Sequence, residues 1–437
     1  MSHAASLINR NVRMNRIYRN LNSNTVVKYL SLAAISLAFT SIYTSKAGLS
    51  ISLFLILAAT AIKFFNKNKI LHGRPEIYRY SCYLITVYLA GLTLSLIPSF
   101  ELHDILWFAR KGAFLLIIPL FSLSLSKDKS IALFLSLLGL LVSIIYSIPL
   151  FSQQSLDQRV SSFWDVGRWS EILAYSIAIL IPTLHHRERN KLTQRTSILL
   201  LCTVCLCFIS LLITGSRGPL LFLFIAIFIY YSLSQRKLLI IFISFSLLFL
   251  LLIHLIPELN PIYDRIKSII ASNNNSNNAR LLMWKNGIEF IKHNIDNNFV
   301  LFLFGTGDRN IENLLISFIK TIGSIDNMQA SVGYQISFND FHNAYLDTLI
   351  KTGAIFFTLY ISTIGYTAHI LIKYIKNGVT LAWSGLTMLI TQLGIGLVYS
   401  NGMEYQTIIF YLMMALILVN CISASEHEEK TSNDFQN

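Results

Sequence analysis

Acidic side chains are scarce in this chain: 22 Asp and Glu stand against 35 Lys and Arg in 437 residues, a formal net charge of +13. Charged residues of both signs make up only 13%, about half the share of a soluble domain, which excludes an ordinary solvated globule. No Asp-x-Asp pair occurs in a loop on the outer side, and no His, Cys, Asp and Glu set has metal-ligand spacing. No metal and no cofactor is therefore expected. The five cysteines, Cys82, Cys202, Cys205, Cys207 and Cys421, lie in or beside apolar runs, which argues against a disulfide framework. Cys202, Cys205 and Cys207 have no polar company and read as ordinary buried thiols.

What the chain has in abundance is apolar length: 54% of its residues are hydrophobic. Apolar runs recur between charges at the length that spans a bilayer as a helix. They do not alternate as barrel strands would, and inside lipid every backbone polar group needs an internal partner. The fold class expected is an all-α polytopic membrane protein of about 12 transmembrane helices. The spans read as Val26–Tyr43, Ala47–Phe65, Tyr80–Ile97, Ile105–Leu125, Ile131–Phe151, Trp169–Leu184, Ser197–Ile213, Pro219–Leu233, Leu238–Ile256, Gly353–Ile372, Val379–Tyr399 and Thr407–Ile422. This divides the chain into 1–256 with the first nine spans, a large outer helical loop at 257–352, and 353–437 with the last three spans and a tail.

The positive charge sits in short segments on one side of these spans, so it reads as topology rather than as a nucleic-acid surface. That side holds Arg10, Arg13, Arg16, Arg19 and Lys28, Lys63 to Arg79, Lys127 and Lys129, Arg187 to Arg195, Arg236 and Lys237, Lys373 and Lys376, and Lys430. The short loops opposite hold only Lys46, Arg159, Arg168 and Arg217. Both termini are accordingly expected in the cytoplasm, membrane lipids around the spans, and the first helix uncleaved.

Within the outer loop, Ser272–Asn278 is low-complexity and reads as loop. Helices are expected over Ala279–Ile295 and Ile311–Ile322, with a third starting near Asn339 or Asp340 as N-cap. These helices read as a lid over the membrane surface. Gly305-Thr306-Gly307 reads as a turn, and only weakly as a phosphate loop.

Three places could carry chemistry. The turn Thr214-Gly215-Ser216-Arg217-Gly218-Pro219 opens a helix at the outer surface. Pro219 suits a first helical turn, Ser216 or Thr214 suits a cap, and free N–H groups beside Arg217 favour an anion. Arg280, in Ala279-Arg280-Leu281-Leu282-Met283-Trp284, begins an outer helix. His342, in Asn339-Asp340-Phe341-His342-Asn343-Ala344-Tyr345, is placed in the first turn of another, where a neutral imidazole can accept a proton and Asp340 can orient it or cap. Taken singly these residues have ordinary readings: a headgroup anchor, a solvated arginine, a loop histidine. Arg110 and Lys111 fall inside a span and are either functional or paired, or reaching for the outer interface. His185 and His186 read as idle on the inner side. Trp107, Trp164 and Trp169 read as an interfacial aromatic belt.

Taken together, the Ser-Arg-Gly turn, the Arg-x-x-x-Trp helix start and the His-Asn followed by a helix and Gly353 resemble the family of O-antigen ligases and polymerases. The order and spacing match over roughly 159–401, and Arg159, in Gln158-Arg159-Val160-Ser161-Ser162-Phe163, resembles an outer-loop arginine of the ligases. Gly394-Ile395-Gly396-Leu397 before a last span is ligase-like too. Phe356 departs from the pattern, because ligases often carry Gly, Thr or Tyr at that place. The resemblance implies a GT-C-like glycosyltransferase of the cell inner membrane with a periplasmic site. Its donor would be O-antigen on undecaprenyl pyrophosphate and its acceptor lipid A–core. It implies His342 as general base and Arg217, Arg280 and Arg159 as the pyrophosphate-binding residues, in a metal-independent, inverting transfer. An O-antigen polymerase is the alternative, and a flippase or transporter for lipid-linked sugar ranks third. The latter would want charge on several spans, where only Arg110, Lys111 and Glu171 qualify.

Overall fold

The computed structural model describes residues 25–65, 75–97, 102–152, 158–269, 275–323, 325–332 and 336–434. The four N-terminal arginines, the segment 66–74 and Ser272–Asn274 lie outside the described residues, as do the side chains of Lys127 and Lys430. Every regular element among the described residues is helical. The order is α1 (Thr25–Thr44), α2 (Lys46–Phe65), α3 (Pro75–Leu94), α4 (Leu102–Lys111), α5 (Ile117–Ser152), α6 (Val166–His185), α7 (Gln194–Thr214), α8 (Arg217–Ser234), α9 (Arg236–Leu255), α10 (Asn260–Lys267), α11 (Asn275–Asn297), α12 (Phe299–Phe304), α13 (Ile311–Ile322), α14 (Ile325–Ser331), α15 (Ala344–Lys376), α16 (Leu381–Gly396) and α17 (Tyr405–Asp434).

Nine helices among the described residues are long and apolar enough to cross a membrane. The other three expected spans are helices in the expected places, α3, α6 and α16, that fall short of that measure. Glu76 and Arg79 dilute α3, Arg168 and Glu171 dilute α6, and α16 has only 16 residues. The polarity of α6 is tolerable because the helix faces protein: Trp169 through Ala178 are all buried. A helix with neighbours all round can carry polar groups that lipid would not accept. Burial ranks the rest. The apolar window of α17 is 83% buried, whereas that of α9 is 6% buried and presents Ile240, Ile241, Leu247 and Leu251 outward. So α17 is the centre of the bundle and α9 a lipid-facing wall. Around that centre α17 packs on α5, and α16 packs on α6 and α8.

Two of the three tryptophans expected in an aromatic belt are core residues instead: Trp164 and Trp169 are 2% and 1% exposed. Lys46 lies 5.7 Å from the Trp164 ring centre, a cation–π contact. Phe356 is fully buried and meets Phe108 edge-on at 4.9 Å.

Between α9 and α15, α13 covers the expected residues, and α10, α12 and α14 are short helices the sequence did not announce. Asn275–Asn278, expected as loop, are the first turn of α11; Asn277 Nδ2 donates to the Ser268 carbonyl at 3.2 Å and ties that turn to α10. The helix expected to start at Asn339 or Asp340 starts only at Ala344. Asn343 caps it, its Oδ1 accepting the Tyr345 and Leu346 amides at 3.0 Å each. Phe290, Leu315, Ile319, Phe341 and Ile350 form a small apolar core that joins α11, α13 and the start of α15.

That start of α15 is set off from the rest by a break at Gly353 (φ 80°, ψ 166°). The break strips the Ile350 and Lys351 carbonyls of helical donors, and the Gly-Thr-Gly turn supplies them. The Thr306 amide reaches Ile350 O at 2.9 Å and the Gly307 amide reaches Lys351 O at 3.1 Å. These amides are spent inside the protein, so the turn is a backbone clamp and not a phosphate loop.

Candidate functional site: an arginine cluster beside a left-handed histidine

The Ser216-Arg217 turn is built as a helix exchange. Gly215 ends α7 in the left-handed region (φ 62°), where glycine carries no steric penalty, and α8 starts two residues later. Of the two residues expected to help cap, Ser216 occupies the cap position but makes no side-chain cap. Thr214 Oγ1 instead accepts the Ser216 amide at 3.2 Å. Among the described residues the first N–H groups of α8 are left without a side-chain cap. Arg217 is half-buried, and its Nη1 donates to Ser268 O and Ser268 Oγ at 3.0 Å each. Arg265, which the sequence reading passed over, packs its guanidinium against Gly215.

Arg280 and Arg159 lie within electrostatic reach of Arg217. Tyr399 stands among them. Its ring centre is 5.7 Å from the Arg280 guanidinium, it packs against Gly218, and the charges of Arg280 and Arg159 both act on its phenol. None of the three arginines has a carboxylate partner among the described residues. Their neighbours differ in this: Arg168 is paired with Asp165 at 2.5 Å and approaches Glu404 at 3.9 Å, Lys111 is paired with Glu404, and Lys351 with Asp308 at 3.3 Å. In addition, Arg280 Nε and Trp284 Nε1 are buried with no hydrogen-bond partner among the described residues. These two residues are one helical turn apart on α11 and so share a face. A buried donor left unmade costs about 1–3 kcal/mol, so this face is prepared for an acceptor.

His342 is not in the first turn of a helix, as expected, but one residue before the cap and in the left-handed region (φ 48°). A non-glycine residue there is uncommon and marks stored strain. Asp340 holds it: its Oδ1 accepts the His342 amide at 2.6 Å and a hydrogen bond from the Ser400 hydroxyl, and lies 3.6 Å from His342 Nδ1. The last distance is longer than a hydrogen bond. The side chain of His342 is 42% exposed, open to a ligand.

The loop from Leu397 to Asn401 joins these parts. Asn343 Nδ2 donates to Leu397 O at 3.1 Å, Tyr399 meets the arginines, Ser400 meets Asp340, and Asn401 Nδ2 donates to buried Glu171 at 2.8 Å. The structure therefore brings Arg217, Arg280, Arg159 and His342 to one end of the bundle around one loop. Arg110 and Lys111 end α4 and line a separate polar cavity beside Asp340. His185 and His186 lie at the far end of α6. Burial, with help from His185 and Arg189, pushes His186 down to about 4, so it is uncharged at neutral pH. Sequence reasoning missed Tyr399, which it took as the last residue of a span, and the unpartnered indole of Trp284.

A bundle that is all-helical among the described residues, with nine helices long and apolar enough to cross a membrane, defines a polytopic membrane protein. Residues 202–361, a little over a third of the chain, match the model of the O-antigen ligase family. The match takes in Arg217, Arg280, Trp284 and His342, while Arg159 and Tyr399 lie outside it. No curated protein matches the chain. The family is one of membrane proteins of the O-antigen ligase or polymerase type, acting on lipid-linked sugars in the membrane.

Proposed function

We propose that the chain transfers O-antigen polysaccharide from undecaprenyl pyrophosphate to a sugar hydroxyl of lipid A–core, at the periplasmic face of the inner membrane, with both termini cytoplasmic. The observation that carries this reading is the set of three arginines without carboxylate partners among the described residues, two buried N–H donors of α11 lacking acceptors there, and an exposed imidazole held by the same loop. Like charges gathered in a partly buried place repel, and a diphosphate relieves that repulsion while taking up the spare donors. A sugar hydroxyl is a weak nucleophile and needs a base. His342 takes its proton, the oxygen forms a bond to the anomeric carbon on the face opposite the diphosphate, and the bond from that carbon to the diphosphate oxygen breaks. Undecaprenyl pyrophosphate departs with its charge neutralised by Arg217, Arg280 and Arg159, and the configuration inverts. The proton on His342 then passes to water.

The test is transfer by the purified chain from undecaprenyl-pyrophosphate-linked O-antigen, offered lipid A–core and, separately, a second lipid-linked repeat. Product on lipid A–core is expected. Extension of the lipid-linked repeat instead would establish a polymerase, and no transfer to either acceptor would overturn the reading.

Arg217→Ala is expected to slow transfer by about 100- to 1000-fold, the usual cost of one preorganised donor to a developing negative charge. Arg217→Lys should recover only part of the loss, because an ammonium cannot hold Ser268 and a phosphate oxygen with one planar fork. Full activity in Arg217→Lys, measured at several ionic strengths, would show that charge alone matters at this turn.

A further inference from the structure

A polar cavity of about 290 Å³ opens next to the histidine, walled by the end of α4, the outer part of α15 and the loop 400–404. We propose that this cavity seats the acceptor sugar, so that donor and acceptor approach His342 through two chemically different compartments. The inference rests on the transferase reading above and adds the place and chemistry of the second substrate.

The argument is one of charge. The arginine cluster has no carboxylate partner among the described residues. The cavity, by contrast, is lined by Asp308, Asp340, Asp347 and Glu404 as well as by cations. Two of its cations are already committed, Lys111 to Glu404 and Lys351 to Asp308. Among the described residues Asp340 and the buried Asp347 have no Lys or Arg ion pair, though the Lys351 charge reaches Asp347, whose Oδ1 accepts the Phe341 amide at 3.1 Å. Carboxylates in this position repel a diphosphate and accept hydrogen bonds from hydroxyls. The occupant they suit is a polyol.

Trp107 adds a half-buried aromatic wall, and Arg110 is an exposed cation with no partner among the described residues, available to donate to sugar oxygens. The volume is at the lower end of about 300–1,000 Å³ for small-molecule sites, so the cavity takes the terminal sugar of an acceptor and leaves the rest of it outside.

The two compartments touch at adjacent residues. Tyr399 stacks with Arg280, while Ser400 lines the cavity and bonds Asp340. Asp340 in turn lines the cavity and holds the backbone of His342. A hydroxyl bound in the cavity therefore lies beside the base, and the anomeric carbon of a donor held by the arginines lies on the base's other approach.

The test separates the substrates. Initial rates of transfer are measured at varied lipid A–core with saturating donor, and binding of the lipid-linked donor is measured without acceptor. Arg110→Gln and Trp107→Leu are expected to raise the acceptor KM by about tenfold or more, a loss of acceptor binding, with donor affinity unchanged. Arg280→Ala is expected to weaken donor binding. Arg110 is exposed, so its replacement leaves folding out of the comparison, and thermal unfolding checks Trp107→Leu. An unchanged acceptor KM in Arg110→Gln and in a folded Trp107→Leu, with the unaltered chain transferring normally, overturns the cavity assignment alone. An unaltered chain that binds donor yet transfers to neither acceptor overturns the proposed function, and this inference with it.

Discussion

His342→Asn is expected to lower transfer by about 100- to 10,000-fold, the range attached to a general base, while the protein inserts and folds as before. The choice of asparagine matters. His342 sits at φ 48°, where a β-carbon is costly by roughly 1–2 kcal/mol, and asparagine is one of the few residues that visits this region readily. Alanine would add a backbone effect to the loss of the base. Asparagine keeps the turn, keeps the amide that donates to Asp340 at 2.6 Å, and offers no nitrogen able to accept a proton. Lipopolysaccharide banding in cells that lack the native gene reads the outcome: bare core with the variant, a ladder with the unaltered protein. A ladder of normal density from well-expressed His342→Asn would remove the histidine from the mechanism and leave the arginines as a binding site only.

The spans were legible because the bilayer imposes a simple rule of length and hydropathy, and α13 because its apolar residues recur on one face. The candidate site was legible by residue type alone. Arginine in a glycine turn, arginine at a helix start and histidine near a helix start each suggested a role, but nothing local said that they meet. Their meeting depends on the loop 397–401, which arrives from a different part of the chain. Tyr399 looked like the end of a span because its neighbours are apolar, and only its contacts with Gly218 and Arg280 reveal its place. The N-cap was misplaced for a related reason. Asn339, Asp340 and Asn343 are all good caps, and the choice among them falls to tertiary partners: Asp340 is engaged by Ser400 and the His342 amide, which leaves Asn343 to start the helix. Lys111, suspicious as a charge in a span, is explained by Glu404, nearly three hundred positions away in sequence.

The second large effect expected is structural. Gly353→Ala should lower the thermal midpoint of the detergent-solubilised protein sharply and abolish transfer, although Gly353 is not among the residues proposed to touch substrate. At φ 80° and ψ 166° its backbone occupies a region essentially reserved for glycine, costing about 1–3 kcal/mol for any other residue. A β-carbon would also stand 2.3 Å from Leu303 O, 2.4 Å from Phe304 C and 2.5 Å from Gly305 N. These are backbone atoms, so no side-chain rotation relieves the contact, and the strain adds to the conformational cost. The chain can escape only by withdrawing the Gly-Thr-Gly turn from α15, which unmakes the bonds from Thr306 and Gly307 to Ile350 and Lys351. That withdrawal frees the start of α15, and with it Asn343, His342 and Asp340 lose their register against the loop 397–401. Gly365→Ala is the matched control: it lies in the same helix, exposed, with nothing within 4 Å of an added β-carbon, and alanine there favours helix by up to about 1 kcal/mol. Proteolysis of the folded protein should detect the difference as new cleavage between 305 and 340 in Gly353→Ala alone. Equal midpoints for the two variants would mean that the break in α15 is not held by the clamp, and that the position of His342 is fixed by the loop 397–401 and Asp340 without it.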